Sequence, residues 1–325
     1  MKLNLQLRNT NNMLFCRKKS LSPLQTKQHT KRKPRVLVVV SNDKSDLYFA
    51  NCLIQSANVV AVVVENQIEA KTVEFHIQKI IRLLKTPTVL IRKIPGKIVH
   101  AYRRKFAIYH QDAYKTDFGE YGYRLFTKPG CEVLHTQGVN DINEFENVEW
   151  IEEQNPDLIA VCGASIFKHK LLSIPLHGVL NLHGGLSQKY RGLFTTDWAI
   201  YNNEPEYIGA TVHFMSSGID DGDVIYQGRP TIEEADNPNS LYVKVVKLGV
   251  KMMLQAIKDI ENNSVHTVPL KTKGKLYLGD YYGPHYLNKT WKYYQQGLIR
   301  NYCRNKLQRD KAVIKKLLVP FKATD

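Results

Sequence analysis

The stretch Arg35–Asn66, "RVLVVVSNDKSDLYFANCLIQSANVVAVVVEN", decides the fold. "RVLVVVS" is a continuous apolar run that ends in a polar loop, as in a strand buried on both faces. "DLYFANCLIQSA" has the spacing of a helix, and "VVAVVVEN" is a second buried strand. Strand, helix and strand in that order predict a right-handed parallel βαβ unit.

The same rhythm returns further along. "DINEFENVEWIEEQNP" is helical, and "DLIAVCGAS" is a third buried strand. "FKHKLLSIP" is a short helix stopped by Pro175, and "GVLNLHGG" is a fourth strand. "TTDWAIYNNEP" is a helix stopped by Pro205. "YIGATVHFMSSGIDDGDVIYQGRPTI" gives two strands joined by the polar loop Ser216–Asp223. Asn239 or Ser240 is expected to cap a last long helix running to about Asn262. Between about 70 and 130 the chain is helical and basic ("EFHIQKIIRLLK", "IVHAYRRKFAIYHQ"), which reads as an insertion. There are no internal repeats. The pattern predicts an open, doubly wound α/β sheet with a small C-terminal appendage, and ligands outside the carboxyl ends of its strands. The expected organisation is a basic tail over 1–33, a main domain over 34–263, and an aromatic and basic extension over 264–325.

A chain of 325 residues, 43% hydrophobic, is ample for a packed core. No run approaches the roughly 18 to 20 apolar residues of a membrane span, so a soluble protein without a membrane partner is expected. The five cysteines, Cys16, Cys52, Cys131, Cys162 and Cys303, form no CxxC pair or zinc spacing, which fits free thiols in a reducing compartment. The net charge of +16 points toward anionic partners. No acid precedes Asp43, and the basic start reads as a disordered tail or an organelle-targeting segment. The expected location is the cytoplasm, with an organelle as the alternative. A second basic block, Arg300, Arg304, Lys306, Arg309, Lys311, Lys315 and Lys316, suits an amphipathic helix with a solvated face or an RNA contact.

The chemistry sits in "NLHGGLSQKYRG", Asn181–Gly192. Alternation puts Asn181 and His183 on one strand face and Leu182 on the other. Gly184 and Gly185 permit a sharp turn and a close ligand approach. The loop "SSGIDDGD" brings Asp220, Asp221 and Asp223 from another strand end. An Asn amide can stabilise an oxyanion, a His can move a proton, and a carboxylate can orient the His. "HGG" also suggests a lipase-like oxyanion loop, but no G-x-S-x-G elbow is present. His183, His213 and Asp220 could be metal ligands, but no HxH, HExxH or cysteine cluster supports them, and no metal is expected. A hydrogen-bonded structural His beside a turn is the remaining alternative.

"LNLHGGLSQKYRG" followed by "WAIYNNEPEYIGATVHFMSSGIDDGDVIYQ" resembles the catalytic core of the folate-dependent formyltransferases. The resemblance runs from about Pro156 to Ile232, with weaker agreement over Arg35–Glu65. It implies a Rossmann-like formyltransferase sheet, with Asn181, His183 and Asp220 as catalytic residues. It implies 10-formyltetrahydrofolate as formyl donor, held near Cys162, Gly163, Ala164, Ser165 and Ile166 and near Ser217, Gly218, Ile219, Asp221 and Asp223. Gly184, Gly185, Tyr190, Arg191 and Gly192 would meet the acceptor amine. Family members formylate methionyl-tRNA, glycinamide ribonucleotide or amino sugars. "SNDKSDLYF" lacks the glycine-rich phosphate loop of the glycinamide ribonucleotide enzymes. The sixty-odd residues after Asn262 leave little room for an OB barrel. The expected acceptor is therefore a small amine, a nucleotide-linked amino sugar, with methionyl-tRNA as the alternative. A non-catalytic RNA- or ligand-binding protein on the same fold is the reading of a different class. A homodimer is compatible with all three.

Overall fold

A computed structural model describes residues 32–66, 115–279 and 282–322. The tail expected up to residue 33 falls, as far as residue 31, outside the described residues, and so does the insertion expected over about 70–130, as far as residue 114. The predicted βαβ unit is β1 (Val36–Ser41), α1 (Lys44–Ser56) and β2 (Val59–Glu65), with β1 and β2 parallel. Then come β3 (Glu132–Thr136), α2 (Phe145–Glu153), β4 (Leu158–Cys162), α3 (His169–Leu172), β5 (Val179–His183) and β6 (Tyr190–Gly192). α4 (Thr195–Tyr201), β7 (Ala210–Phe214), β8 (Val224–Gly228) and α5 (Pro238–Glu261) complete the sheet and its cover. β9 (Lys275–Tyr277), α6 (Pro284–Gln295), α7 (Leu298–Arg304) and α8 (Lys306–Ile314) follow.

Among the described residues the main sheet has seven strands in the order β3-β2-β1-β4-β5-β7-β8. β1 to β5 run parallel, and β7 runs antiparallel to both β5 and β8. One face packs Val36, Val38, Val40 and Leu182 under α1 and α5. The other packs Leu37, Val39 and Val161 against α2 and α3. Helices on both faces make this the expected doubly wound α/β class. No helix among the described residues is long and apolar enough to cross a membrane.

Three local features differ from the sequence reading. Residues 115–130 are not helical: the segment holds a 3-10 turn at Gly119–Gly122. Buried Asn51 of α1 fixes it, donating to the carbonyls of Tyr121 and Arg124 and accepting from the Phe126 amide. β3 was not anticipated, because a five-residue edge strand with two exposed residues has no apolar run. The cap of α5 is Asn237, not Asn239 or Ser240: its side chain accepts from the Ser240 amide, and Ser240 Oγ accepts from the Asn237 amide. Pro238 at the first position needs no donor, so this capping box suits the helix start. After α5, β9 pairs in parallel with β6. Beyond it, Tyr277, Tyr282, Leu287, Trp291, Leu298 and Tyr302 share a hydrophobic cluster with β1 and α5. The aromatic rings of this segment are therefore largely packing groups.

A buried acid sits at the carboxyl end of β1. Asp46 accepts hydrogen bonds from Ser41 Oγ at 2.6 Å, Ser45 Oγ at 3.0 Å and Cys162 Sγ at 3.5 Å. A Cβ on Gly163, which has φ +68°, would lie 1.9 Å from Asp46 Oδ2, so only glycine fits there. Burial raises the Asp46 pKa from 3.8 to about 6, against the pull of those donors. The folded state thus holds a proton that the unfolded chain releases. Stability should be full below pH 3.8 and fall as pH rises through 6, by about 3 kcal/mol at most. Asp46→Asn should therefore raise the melting temperature at pH 7.5 by several degrees and leave it unchanged at pH 4. An equal shift at both pH values would remove the titrating carboxyl as the cause.

Candidate active site

β5 carries Leu182 into the core against Gly249 of α5, where a Cβ would lie 2.4 Å from Leu182 Cδ1. Strand alternation then turns Asn181 and His183 to the opposite face. The antiparallel register pairs Asn181 with His213 and His183 with Thr211. His213 is thereby brought onto the face that carries Asn181.

The loop after β7 returns over this face with Asp220 in the left-handed region, φ +49°. Asn181 Nδ2 donates to Asp220 Oδ1 at 3.1 Å and lies 3.2 Å from His213 Nε2. His183 Nδ1 is 3.3 Å from Asp220 Oδ2, and His183 Nε2 is 2.8 Å from the Tyr190 carbonyl. His213 Nε2 is 3.6 Å from Asp220 Oδ1, and its Nδ1 is 2.8 Å from the Phe214 carbonyl. One carboxylate therefore faces an amide and two imidazoles. Burial alone would raise the Asp220 pKa, but His183, His213 and the Gly192 amide, donating at 2.8 Å, hold it well below the usual carboxylate range. Asp220 is thus an anion at neutral pH. Both imidazoles are buried, whereas Asn181 is half-exposed and is the group a ligand can meet.

Gly185 is required by close approach: a Cβ there would lie 2.7 Å from His183 Nε2 and 3.0 Å from the Tyr190 carbonyl. The Gly184 carbonyl accepts from Thr195 Oγ1, and the Gly185 carbonyl from Thr211 Oγ1 at 2.7 Å.

Other expected contacts act differently from the sequence reading. The Tyr190 ring is buried at 1% exposure and its hydroxyl donates to Glu204, so the side chain cannot meet an acceptor. Its backbone carbonyl orients His183 instead. Arg191 donates to the carbonyls of Gly274 and Ile219, and Gly192 donates to Asp220, so both brace the Asp loop. Asp221 is tied to Lys273 at 2.8 Å and to Ser216 Oγ at 2.5 Å, and closes the loop on itself. Asp223 is exposed, and its carbonyl accepts from the Phe214 amide. Ser217 is exposed, and Gly218 and Ile219 are half-exposed.

In the loop after β4, Cys162 is buried against Asp46, Gly163 and Ile166 are exposed, and Ala164 and Ser165 are half-exposed. The Ser165 amide donates to Glu65 at 2.6 Å and its hydroxyl accepts from the Asn140 amide at 2.8 Å, so β2 and the turn after β3 fix this loop. Sequence reasoning passed over His213 except as a metal ligand. Its signal was the alternation of "ATVHF", which puts Thr211 and His213 on one face of β7. Among the described residues no cluster of His, Cys, Asp or Glu has metal-site geometry.

An amide donor, a half-buried carboxylate and two buried imidazoles at a strand end form a site suited to acyl-group chemistry on an α/β sheet. Residues 119–257 match the family model described as Formyl transferase. A methionyl-tRNA formyltransferase from Caldanaerobacter subterraneus subsp. tengcongensis is 32% identical over 150 residues, 46% of this chain and 47% of that protein. One from Alkaliphilus oremlandii is 34% identical over 137 residues, 42% of each chain. The chain thus aligns with about half the length of the curated relatives it matches. A solved 4-N formyltransferase from Francisella tularensis is similar over 76% of this chain and 77% of its own, at 21% identity and a TM-score of 0.46.

Proposed function

We propose that this protein transfers a formyl group from 10-formyltetrahydrofolate to a primary amine. The observation that carries this reading is the convergence of Asn181, His183 and His213 on the single carboxylate of Asp220. The folate would supply an activated formyl group near the loops at 162–166 and 217–223. Asn181 would turn its amide to the formyl oxygen as charge develops there. Asp220 would hold His183 in place, and the imidazole, set between a carbonyl and a carboxylate, would keep a proton in register for transfer. His213 would hold the Asn181 amide in orientation. Arg191 and Gly192 would keep the Asp loop closed.

For the acceptor, the curated relatives favour methionyl-tRNA over the amino sugar expected from sequence. The exposed bases Arg300, Arg304, Lys311, Lys315 and Lys316 around α7 and α8 suit a polyanion. The amino-sugar reading retains one observation: after α5 the described residues form one three-residue strand and three helices, not a barrel. The test is a formylation screen with 10-formyltetrahydrofolate, comparing methionyl initiator tRNA with amino-sugar nucleotides by mass spectrometry. Formyl-methionyl-tRNA is the expected product. Its formation should weaken steeply with salt, each neutralised phosphate adding roughly 0.7 to 0.9 to the log–log slope. A product from the sugar alone would replace the acceptor, and no product from either would remove the activity.

A further inference from the structure

Beside the Asp220 clamp the chain exposes apolar surface that the proposed chemistry leaves unused. Leu193 is 56% exposed, Leu278 41% and Phe194 36%. They flank β6 and β9: the Leu193 amide donates to the Tyr277 carbonyl at 2.9 Å, so Leu193 and Leu278 are neighbours across that pair. Leu193 directly follows Gly192, whose amide binds Asp220. Phe194 has φ +56°, an uncommon conformation for an aromatic residue that the surrounding fold must hold. Its ring stacks on Tyr282 at 4.8 Å. Behind it, Trp198 stacks on Tyr277 at 4.5 Å and meets Tyr282 edge-on at 5.4 Å. The result is a rigid apolar ledge with an aromatic backing, one residue from the site.

Positive charge lies on the adjoining segment. Arg191 and Lys273 share one carboxylate, Asp221, at 3.8 and 2.8 Å. Lys271 and Lys275 are exposed, Lys275 with its ammonium 4.9 Å from the centre of the Tyr277 ring, and no ion pair joins either to a carboxylate among the described residues. Exposed apolar side chains beside lysines that make no ion pair among the described residues suit a ligand with a planar base and a phosphate.

We propose that the ledge of Leu193, Phe194 and Leu278, with Lys271 and Lys275, binds the nucleotide portion of the formyl acceptor, base on the ledge and phosphate at the lysines. This rests on the formyl-transfer reading for the word acceptor, but the binding can be measured without turnover. The experiment is calorimetric titration of the full chain with adenosine 5′-monophosphate, uridine 5′-monophosphate and ribose 5-phosphate. Both nucleotides should bind at least about tenfold more tightly than ribose 5-phosphate, the difference being base stacking. Leu193→Ser should weaken both nucleotides about tenfold and leave ribose 5-phosphate unchanged. Phe194→Gly should do the same, and glycine suits the left-handed backbone, so the fold is kept. Lys271→Gln with Lys275→Gln should weaken all three ligands.

An RNA hairpin ending in a 3′-adenosine and a nucleoside diphosphate hexose separate the two sources of a nucleotide. The one whose affinity falls about tenfold in Leu193→Ser is the class of acceptor used. Equal binding of ribose 5-phosphate and the nucleotides, or affinities that ignore both ledge variants, would overturn the proposal. Nucleotide binding that maps to the ledge in a protein with no formylating activity would overturn only the formyl-transfer reading.

Discussion

His183→Ala should lower formyl transfer by about a hundredfold or more while the protein stays folded, and Asn181→Ala and Asp220→Ala should do the same. Loss of one oxyanion donor is worth on the order of 2.7 to 4 kcal/mol of barrier, which sets the scale for Asn181. For His183 the loss has a different source. Its ring is fixed between the Tyr190 carbonyl and Asp220, so alanine removes a held imidazole and leaves Asp220 with His213 as its remaining imidazole. Because the four side chains act as a unit, the double variant His183→Ala/Asp220→Ala should be scarcely slower than either single one. Turnover is measured at saturating donor, with circular dichroism to confirm folding. Near-normal turnover in His183→Ala would end the assignment of this cluster as the catalytic centre.

The largest stability effect is expected far from that cluster. Arg229, just after β8, meets Asp310 of α8 at 2.7 Å, with side-chain exposures of 9% and 12%. Tyr302 of α7 donates to the same Asp310 oxygen at 2.7 Å and accepts from Arg229 at 3.0 Å. Asp310→Ala would leave the guanidinium buried and unpaired, a change that costs about 3 to 5 kcal/mol. The melting temperature should fall by roughly 10 °C. Removing both charges as Arg229→Met/Asp310→Leu should restore most of it, because the desolvation of both ions disappears together. A double variant as unstable as Asp310→Ala would show that the pair, not the orphaned charge, sets the stability.

Much of this architecture was legible because long apolar runs leave few alternatives. "RVLVVVS" and "VVAVVVEN" have no polar face, so they had to be central strands, and the structure pairs them in parallel. That Asn181 and His183 share a face was legible because they stand two residues apart on a strand; the loop offered Asp220, Asp221 and Asp223 alike, the resemblance singled out Asp220, and the structure brings that carboxylate to both side chains. What stayed hidden depends on neighbours distant in sequence. β3 reads as a loop because only its hydrogen bonds to β2 make it a strand. The alternation of "ATVHF" puts His213 on one strand face, but the antiparallel register with β5 that sets it beside Asn181 cannot be read from that stretch. Tyr190 was placed at the acceptor because its neighbours in sequence surround the site, while its own ring turns into the core to meet Glu204. Asn237 was overlooked as a cap because the following proline resembles a loop, although proline is the residue that best tolerates the first helical position.

The outer strand of the sheet is finished late. β8 lies at one edge, and the amide and carbonyl of Gln227 are taken by the Val319 carbonyl and the Phe321 amide, each at 2.7 Å. The Gln227 side chain accepts from the Leu318 amide, 91 residues further along the chain. On a ribosome adding about 5 to 20 residues per second, β8 would be made several seconds before the segment that covers it. Val268 pairs with Val224 at one end of that edge, but the edge around Gln227 stays open for that interval, and an open β edge is prone to pair with a neighbouring molecule. Yield in cells should therefore depend on how fast translation runs between β8 and residue 321, so slow codons placed there should lower the soluble fraction without changing the finished protein.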